Sequence, residues 1–253
     1  MDLDAYFARI GWTGARSALA EIYAHHLRAI PFENLDVLLG RPPKLDIAAL
    51  AAKLVTARRG GYCYEHASLF AHVLRELGWE ARTHSARVVM VTPRQLAPRT
   101  HMFLTAGDLV LDPGFGGQAP ATPLALDGAS TGPHRVVRDE LGIALEMATA
   151  DGGWQRLWVS TLEPDHPIDF EMANHFTATH PSSPFTQRLM ARVVTADGRV
   201  SVMNRDVTTV RGGETTTRQL ADRAELRALF AEQFGFDLPE LLALRVPMIP
   251  EWS

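Results

Sequence analysis

The hydrophobic period changes at Gly78, and that change limits what the chain can fold into. Before it, apolar residues recur at helical spacing. Leu19, Ile22, Tyr23, Leu27 and Ile30 fall on one face and predict a core-facing helix over 18–30. Asp46 reads as the N-cap of a second helix carrying Ile47, Leu50, Leu54 and Val55, which ends before Gly60-Gly61. A third is expected to start near Cys63, run through Phe70, Val73, Leu74 and Leu77, and stop at Gly78, a residue that tolerates the left-handed C-terminal conformation. After Gly78, short alternating or β-branched runs at 86–91, 101–106, 109–112, 143–148 and 157–162 are separated by Gly, Pro and Asp, the pattern of a sheet or barrel. Two further β runs flank Ala196-Asp197-Gly198. Asp222 with Glu225 then opens a helix carrying Leu226, Leu229, Phe230 and Phe234, closed by Gly235. The stretch 117–133, dense in Pro, Gly, Ala and Thr, reads as a long irregular connection, and no internal repeat is visible.

Composition narrows the function. With 46% hydrophobic and 21% charged residues among 253, the chain can bury a substantial core. A formal charge of −4 and the lack of a Lys/Arg cluster argue against nucleic acid as a partner, so any anionic ligand must be held locally. No run approaches the roughly 18 apolar residues of a membrane span. Asp2 and Asp4 stand where a signal peptide would be basic. Cys63 is the only cysteine, which rules out an intramolecular disulfide and cysteine-based zinc sites and suits a reducing, cytoplasmic compartment; no metal is expected.

That cysteine sits in Arg59-Gly60-Gly61-Tyr62-Cys63-Tyr64-Glu65, where paired glycines would let the backbone turn sharply into a helix. A thiol in a helix's first turn feels the positive end of the dipole, which favours the thiolate; alternatively, Cys63 is a small buried hydrophobe. A base is available. His101 and Asp112 lie on two β runs joined by Gly107-Asp108, a dipeptide suited to a two-residue hairpin. If Ala106 faces Leu109, Asp112 lies opposite Phe103 and diagonal to His101 on the same face, within reach of a hydrogen bond. An acid so placed would orient the imidazole as the third member of a nucleophile–base–orienter triad; the plainer reading is a strand histidine and a turn-forming aspartate.

The segments Ile30-Pro31-Phe32-Glu33-Asn34-Leu35-Asp36, Arg59-Gly60-Gly61-Tyr62-Cys63-Tyr64-Glu65, Thr100-His101-Met102, Asp112-Pro113-Gly114-Phe115-Gly116-Gly117 and Asn174-His175-Phe176-Thr177-Ala178-Thr179-His180-Pro181 resemble, in order, the signature blocks of arylamine N-acetyltransferases. The similarity continues to Phe234-Gly235-Phe236 and so covers nearly the whole chain. It implies an α+β fold with a cysteine-protease- or transglutaminase-like core: an N-terminal helical bundle over 1–83, a β-barrel-like middle domain over 84–185 and a C-terminal α/β lid over 186–253. It also implies Cys63 as nucleophile, His101 as base, Asp112 as orienting acid, and Glu33 paired with Arg59 as structural support.

The implied reaction is two acyl transfers, from acetyl-CoA as co-substrate to Cys63 and then to an aromatic amine or hydrazine, in a monomer or homodimer. Thr100, Gly114, Gly116 and Gly117 are the expected coenzyme A contacts, and Phe32, Tyr64 and Phe115 the expected aromatic wall for the acceptor. Without the resemblance, the glycines read as turn chemistry and the aromatics as core. Pro113 in place of the family's usual valine, Ala67 in place of a frequent asparagine, and a short hairpin between His101 and Asp112 depart from the pattern and bear on acceptor choice. The alternatives are an amide synthase of the same fold, told apart by its donor; a Cys-His-Asp hydrolase, by turnover with water; and a non-catalytic binding protein, by an unreactive Cys63.

Overall fold

The structure, a computed structural model, describes residues 1–252. Helix α1 (Leu3–Ile10) is capped by Asp2, whose carboxylate accepts from the Asp4 amide, and ends at Gly11 with φ of 66°. Helix α2 (Leu19–Ala29) buries Leu19, Ile22 and Tyr23 as the spacing predicts, and His26 with them. The short strand β1 (Phe32–Glu33) and helix α3 (Leu35–Leu38) follow. Helix α4 (Ile47–Leu50) begins where Asp46 accepts from Ala49, then widens into a looser coil over Ala51–Thr56. Helix α5 (Cys63–Glu76) starts at the cysteine, and Gly78 lies just beyond it at φ of 87°. Most of α5 is buried, including Tyr64, Leu69, Phe70, Val73 and Leu74, because it is packed between α2, α4 and the sheet that comes next.

That sheet has seven antiparallel strands: β2 (Ala81–Val88), β3 (His101–Ala106), β4 (Leu109–Leu111), β5 (Leu124–Ala125), β6 (His134–Asp139), β7 (Gly142–Ala148) and β8 (Trp154–Ser160). Their order is β5-β4-β3-β2-β8-β7-β6, and the edge strands β5 and β6 touch, so the sheet nearly closes into a barrel. Its interior holds Phe103, Val110, Leu124, Val136, Leu145, Leu157 and Trp158. Helices α6 (Pro167–Thr179) and α7 (Pro184–Gln187) lead to β9 (Met190–Thr195), β10 (Gly198–Met203), β11 (Asp206–Arg211) and β12 (Glu214–Gln219), followed by α8 (Arg223–Leu229). These strands form a second sheet of order β1-β9-β10-β11-β12, so residues 32–33 leave the helical stretch to pair with β9. One face of this sheet packs with Leu226, Phe230 and the C-terminal Leu241, Leu244, Ile249 and Trp252.

Several elements are absent from the sequence expectations. Strand β5 lies inside the stretch read as irregular, and β6 follows it at once. Strand β12 is exposed at every position and Thr-rich, so it carries no alternation to read. Helix α6 lacks a clean apolar stripe, since Phe170 and Ala178 are buried while Ile168 and Met172 face solvent. Phe70 packs edge-on to Tyr23 and His26 at the centre of the helical core. Phe70→Ala is therefore expected to lower the unfolding free energy by about 3–5 kcal/mol in denaturant titrations, whereas Val91→Ala, at a position 93% exposed, should stay within about 0.5 kcal/mol of the parent.

Candidate active site

The loop before Cys63 is a close backbone crossing. The Gly61 amide donates to Pro31 O at 3.2 Å and the Glu33 amide to Gly61 O at 2.9 Å. Neither Gly60 nor Gly61 has a positive φ, so the freedom to turn is not why glycine stands there. Space is the reason: a Cβ on Gly60 would sit 2.2 Å from Pro31 O, and one on Gly61 2.7 Å from a Glu65 carboxylate oxygen. Beneath the crossing lies an ion network. Arg59 donates to Glu33 at 2.8 Å and to Asp36 at 2.9 Å, and Lys53 reaches Asp36 at 2.6 Å and Glu65 at 2.7 Å. The Glu65 carboxylate also accepts from the Tyr62 amide at 3.2 Å, fixing the residue before the cysteine. The expected Glu33–Arg59 pair is present, but Asp36, Lys53 and Glu65 share its work; no spacing in the sequence points to Lys53.

The hairpin register is the one the Gly107-Asp108 turn predicts: Ala106 opposite Leu109, Thr105 opposite Val110 and Leu104 opposite Leu111. His101 Nε2 is 3.0 and 2.9 Å from the two Asp112 oxygens. Both residues are buried. With Nε2 committed to Asp112, Nδ1 is the nitrogen left to face the Cys63 thiol, whose proximity adds to what keeps the imidazole protonated. The sulfur lies 4.0 Å from the Thr100 carbonyl oxygen. Burial alone would lower the imidazole pKa, but the Asp112 charge, its hydrogen bonds and Cys63 outweigh it and raise His101 to about 10. A further partner comes from the barrel: Trp158 Nε1 donates to Asp112 Oδ2 at 2.8 Å, and the indole stacks on Phe103 with ring centroids 4.3 Å apart. Trp158 is 46 residues from Asp112 in sequence, and no local pattern marks it.

These groups open onto a cleft of about 760 Å³, within the usual range of ligand sites. It is lined by Phe32, Thr100, Phe115 and Phe185 and by Gly114, Gly116 and Gly117, with Thr177 and residues of β9, β10 and β11 opposite. The glycines differ in what they do. A Cβ on Gly114 would fall 2.4 Å from Cys63 Cα, so this position gives way to the Cys63 backbone. Gly116 has φ of 60° and lies against the Phe32 ring. Gly117 is open: a Cβ there would meet nothing nearer than Arg192 Nη1, at 3.9 Å. Phe115 packs 4.8 Å from the His101 ring. Tyr64 does not join the expected aromatic wall. It points into the helical core, fully buried against Tyr62, because the first turn of α5 faces the cleft only at Cys63. Its hydroxyl lies beside Thr177 without completing a hydrogen bond. Tyr62 instead bonds Asn174 of α6, whose amide also donates to Pro43 O at 2.9 Å.

One turn along α5, a buried chain of neutral groups reinforces the crossing. Tyr6 Oη donates to His26 Nδ1 at 3.0 Å, His26 Nε2 to His66 Nδ1 at 3.0 Å, and His66 Nε2 to Pro31 O at 3.2 Å, the one direction of donation that satisfies every member. Burial pulls His66 down to about 4, against its hydrogen bond to Pro31.

A family model described as N-acetyltransferase matches residues 17–242. The arylamine N-acetyltransferase of Mycobacterium tuberculosis is 39% identical over 259 residues, covering 95% of this chain and 91% of its own, and that of Escherichia coli is 37% identical over 253 residues, covering 94% and 90%. The solved M. tuberculosis arylamine N-acetyltransferase superposes with a TM-score of 0.87 at 38% identity, covering 95% of this chain and 98% of its own. Mycobacterium marinum arylamine N-acetyltransferase in complex with CoA gives 0.87 at 34%, covering 95% and 94%. The chain belongs to the arylamine N-acetyltransferase family.

The two histidines titrate in opposite senses. Folding raises His101 from about 6.5 to about 10, so its contribution is complete below pH 6.5 and disappears as pH rises through 10. Folding lowers His66 to about 4, so its contribution is present above pH 6.5 and disappears as pH falls through 4. Thermal unfolding from pH 4 to 10 should peak near 6.5, with His101→Gln flattening the alkaline limb and His66→Gln the acid limb. Limbs unchanged in both variants would refute these charge states. Gly114→Ala should cost at least about 2 kcal/mol through its clash with Cys63, while Gly117→Ala should be tolerated; chemical denaturation separates the two.

Proposed function

We propose that the protein transfers an acetyl group from acetyl-CoA, by way of an acyl-cysteine on Cys63, to the nitrogen of an arylamine or arylhydrazine. The observation that carries this reading is a buried imidazole–carboxylate pair beside a buried cysteine at the floor of a cleft walled by Phe32, Phe115 and the Gly114–Gly117 loop. Family membership supports the donor and acceptor classes, since the relatives carry that activity in their names and one neighbour was solved with CoA.

The His101 imidazolium lies beside the sulfur, and a cysteine attacks as its thiolate. In the first half-reaction, Cys63 sulfur bonds to the thioester carbon and coenzyme A departs as a thiolate that takes the His101 proton. The imidazole is then neutral and free to act as a base. In the second, the amine nitrogen attacks the acyl-cysteine, His101 accepts the amine proton, and the amide leaves as Cys63 regains its electron pair. The N–H of Cys63, at the first position of α5, has no intrahelical acceptor and suits the developing oxyanion. In this scheme residues 1–83 supply the nucleophile, residues 84–185 supply His101 and Asp112 on a cysteine-protease-like core, and residues 186–253 act as a lid; strands β9 to β11, which line the far side of the cleft, support that last role.

Intact-protein mass spectrometry after brief exposure to acetyl-CoA without acceptor should show one acetyl adduct, absent in Cys63→Ala and discharged by an arylamine. No adduct on folded protein would sink the acyl-cysteine route. Trp158→Phe keeps the ring but removes the donor to Asp112. A hydrogen bond to a charged group contributes about 1.5–3 kcal/mol, so stopped-flow acylation should slow on the order of 10-fold or more.

A further inference from the structure

Tyr23 on α2 reaches across the molecule to the loop that leaves β4 at Asp112. Strands β4 and β5 pair at Leu109 with Ala125 and at Val110 with Leu124, so residues 112–123 form an excursion that starts and ends at one place on the barrel. The excursion meets each member of the site. Asp112 holds His101 Nε2 at 2.9 Å, a Cβ on Gly114 would fall 2.4 Å from Cys63 Cα, and the Phe115 ring lies 4.8 Å from the His101 ring. Little fixes its height. Its backbone bonds at the tip are long, Gln118 N to Phe115 O and Ala119 N to Gly116 O both at 3.4 Å, and Arg192 adds one to Gly116 O at 3.3 Å. Beneath it, a cavity of about 190 Å³ opens between Ala24 and Leu27 of α2 and Pro113, Gly116, Ala119 and Ala121. The loop does not rest on packed side chains there.

The returning limb is held by a shorter bond, in which Tyr23 Oη donates to Pro120 O at 2.9 Å. The phenol is fully buried and its ring packs edge-on to Phe70 with centroids 5.7 Å apart, so its position belongs to the helical core. Burial first, and then the Asp112 charge, raise its pKa well above the ordinary phenol value, which keeps the proton on the oxygen and the bond in place. Pro120 is buried as well. Without the hydroxyl its carbonyl would lose that donor, and the limb would have to move to find another. We propose that Tyr23 is a positioning residue for acyl transfer, its hydroxyl setting how closely Gly114 and Phe115 approach Cys63 and His101. It acts through the loop and not on the reacting atoms. The proposal rests on the acyltransfer reading above.

Tyr23→Phe removes the oxygen and keeps the ring. The experiment compares it with the parent and with Phe70→Leu, a control that weakens the same core and leaves the hydroxyl. Amide hydrogen exchange is read by mass spectrometry, and single-turnover acylation by acetyl-CoA is followed in quenched flow. In Tyr23→Phe, exchange over 113–121 should quicken about threefold or more, while α2 and α5 exchange as in the parent. Its limiting acylation rate should fall about tenfold, with the half-saturating acetyl-CoA concentration within about threefold of the parent. Phe70→Leu should lower the denaturation midpoint further and yet acylate within about twofold of the parent. Unchanged exchange in the loop, an unchanged acylation rate, a loss seen only in half-saturation, or an equal loss in Phe70→Leu overturns the proposal. So does a Tyr23→Phe chain that fails to fold, because an oxygen whose part is to place one loop is not needed for the fold. A parent that does not acylate faults the underlying reading instead, and exchange over 113–121 still decides whether the tether exists.

Discussion

Two backbone hydrogen bonds where residues 31–33 cross Gly61 hold the site together. On one side of the crossing, β1 continues into β9 and the second sheet; on the other, Gly61 leads within two residues to Cys63 and α5. The contact is possible only because Gly60 and Gly61 lack side chains, and it is fastened from below by ions and from within by His66. The two modes are physically different. Lys53 and Arg59 offset the charges of Glu33, Asp36 and Glu65 in a partly desolvated network, where removing one partner leaves another uncompensated. The Tyr6–His26–His66 chain involves no charge and stabilises by leaving no buried donor or acceptor unmet.

Charge in the cleft follows the same logic. His101 keeps its proton because Asp112 and Cys63 outweigh the cost of burial, and Asp112 keeps its position because Trp158 takes up one of its oxygens. The barrel thus reaches the His101–Asp112 pair through one indole, whose stacking on Phe103 fixes where its N–H points.

Much of this was legible in the chain itself. Helices α2, α4, α5 and α8 follow from apolar spacing, from Asp46 and Asp222 as caps, and from glycines at their ends. The β3–β4 register follows from a two-residue turn, which is enough to set His101 beside Asp112, because pairing in a hairpin leaves no freedom once the turn length is set. Strands β5 and β6 were hidden by a Pro- and Gly-rich stretch, β12 by uniform exposure, and α6 by apolar residues on both faces. In the site, Tyr64 shares a segment with Cys63 yet faces the other way, since successive residues of a helix turn by about 100°.

Residue order alone sets the relations within reach of a turn or a helical repeat: where elements start, which residues share a face, and which histidine meets which aspartate. The remaining pairings come from packing. Trp158 on Asp112, His26 on His66, Lys53 on Glu65 and Arg192 beside Gly116 join residues whose separation along the chain carries no period. Packing chooses such partners by volume, burial and the need to satisfy each buried polar group, and these conditions exist only once the chain has closed on itself.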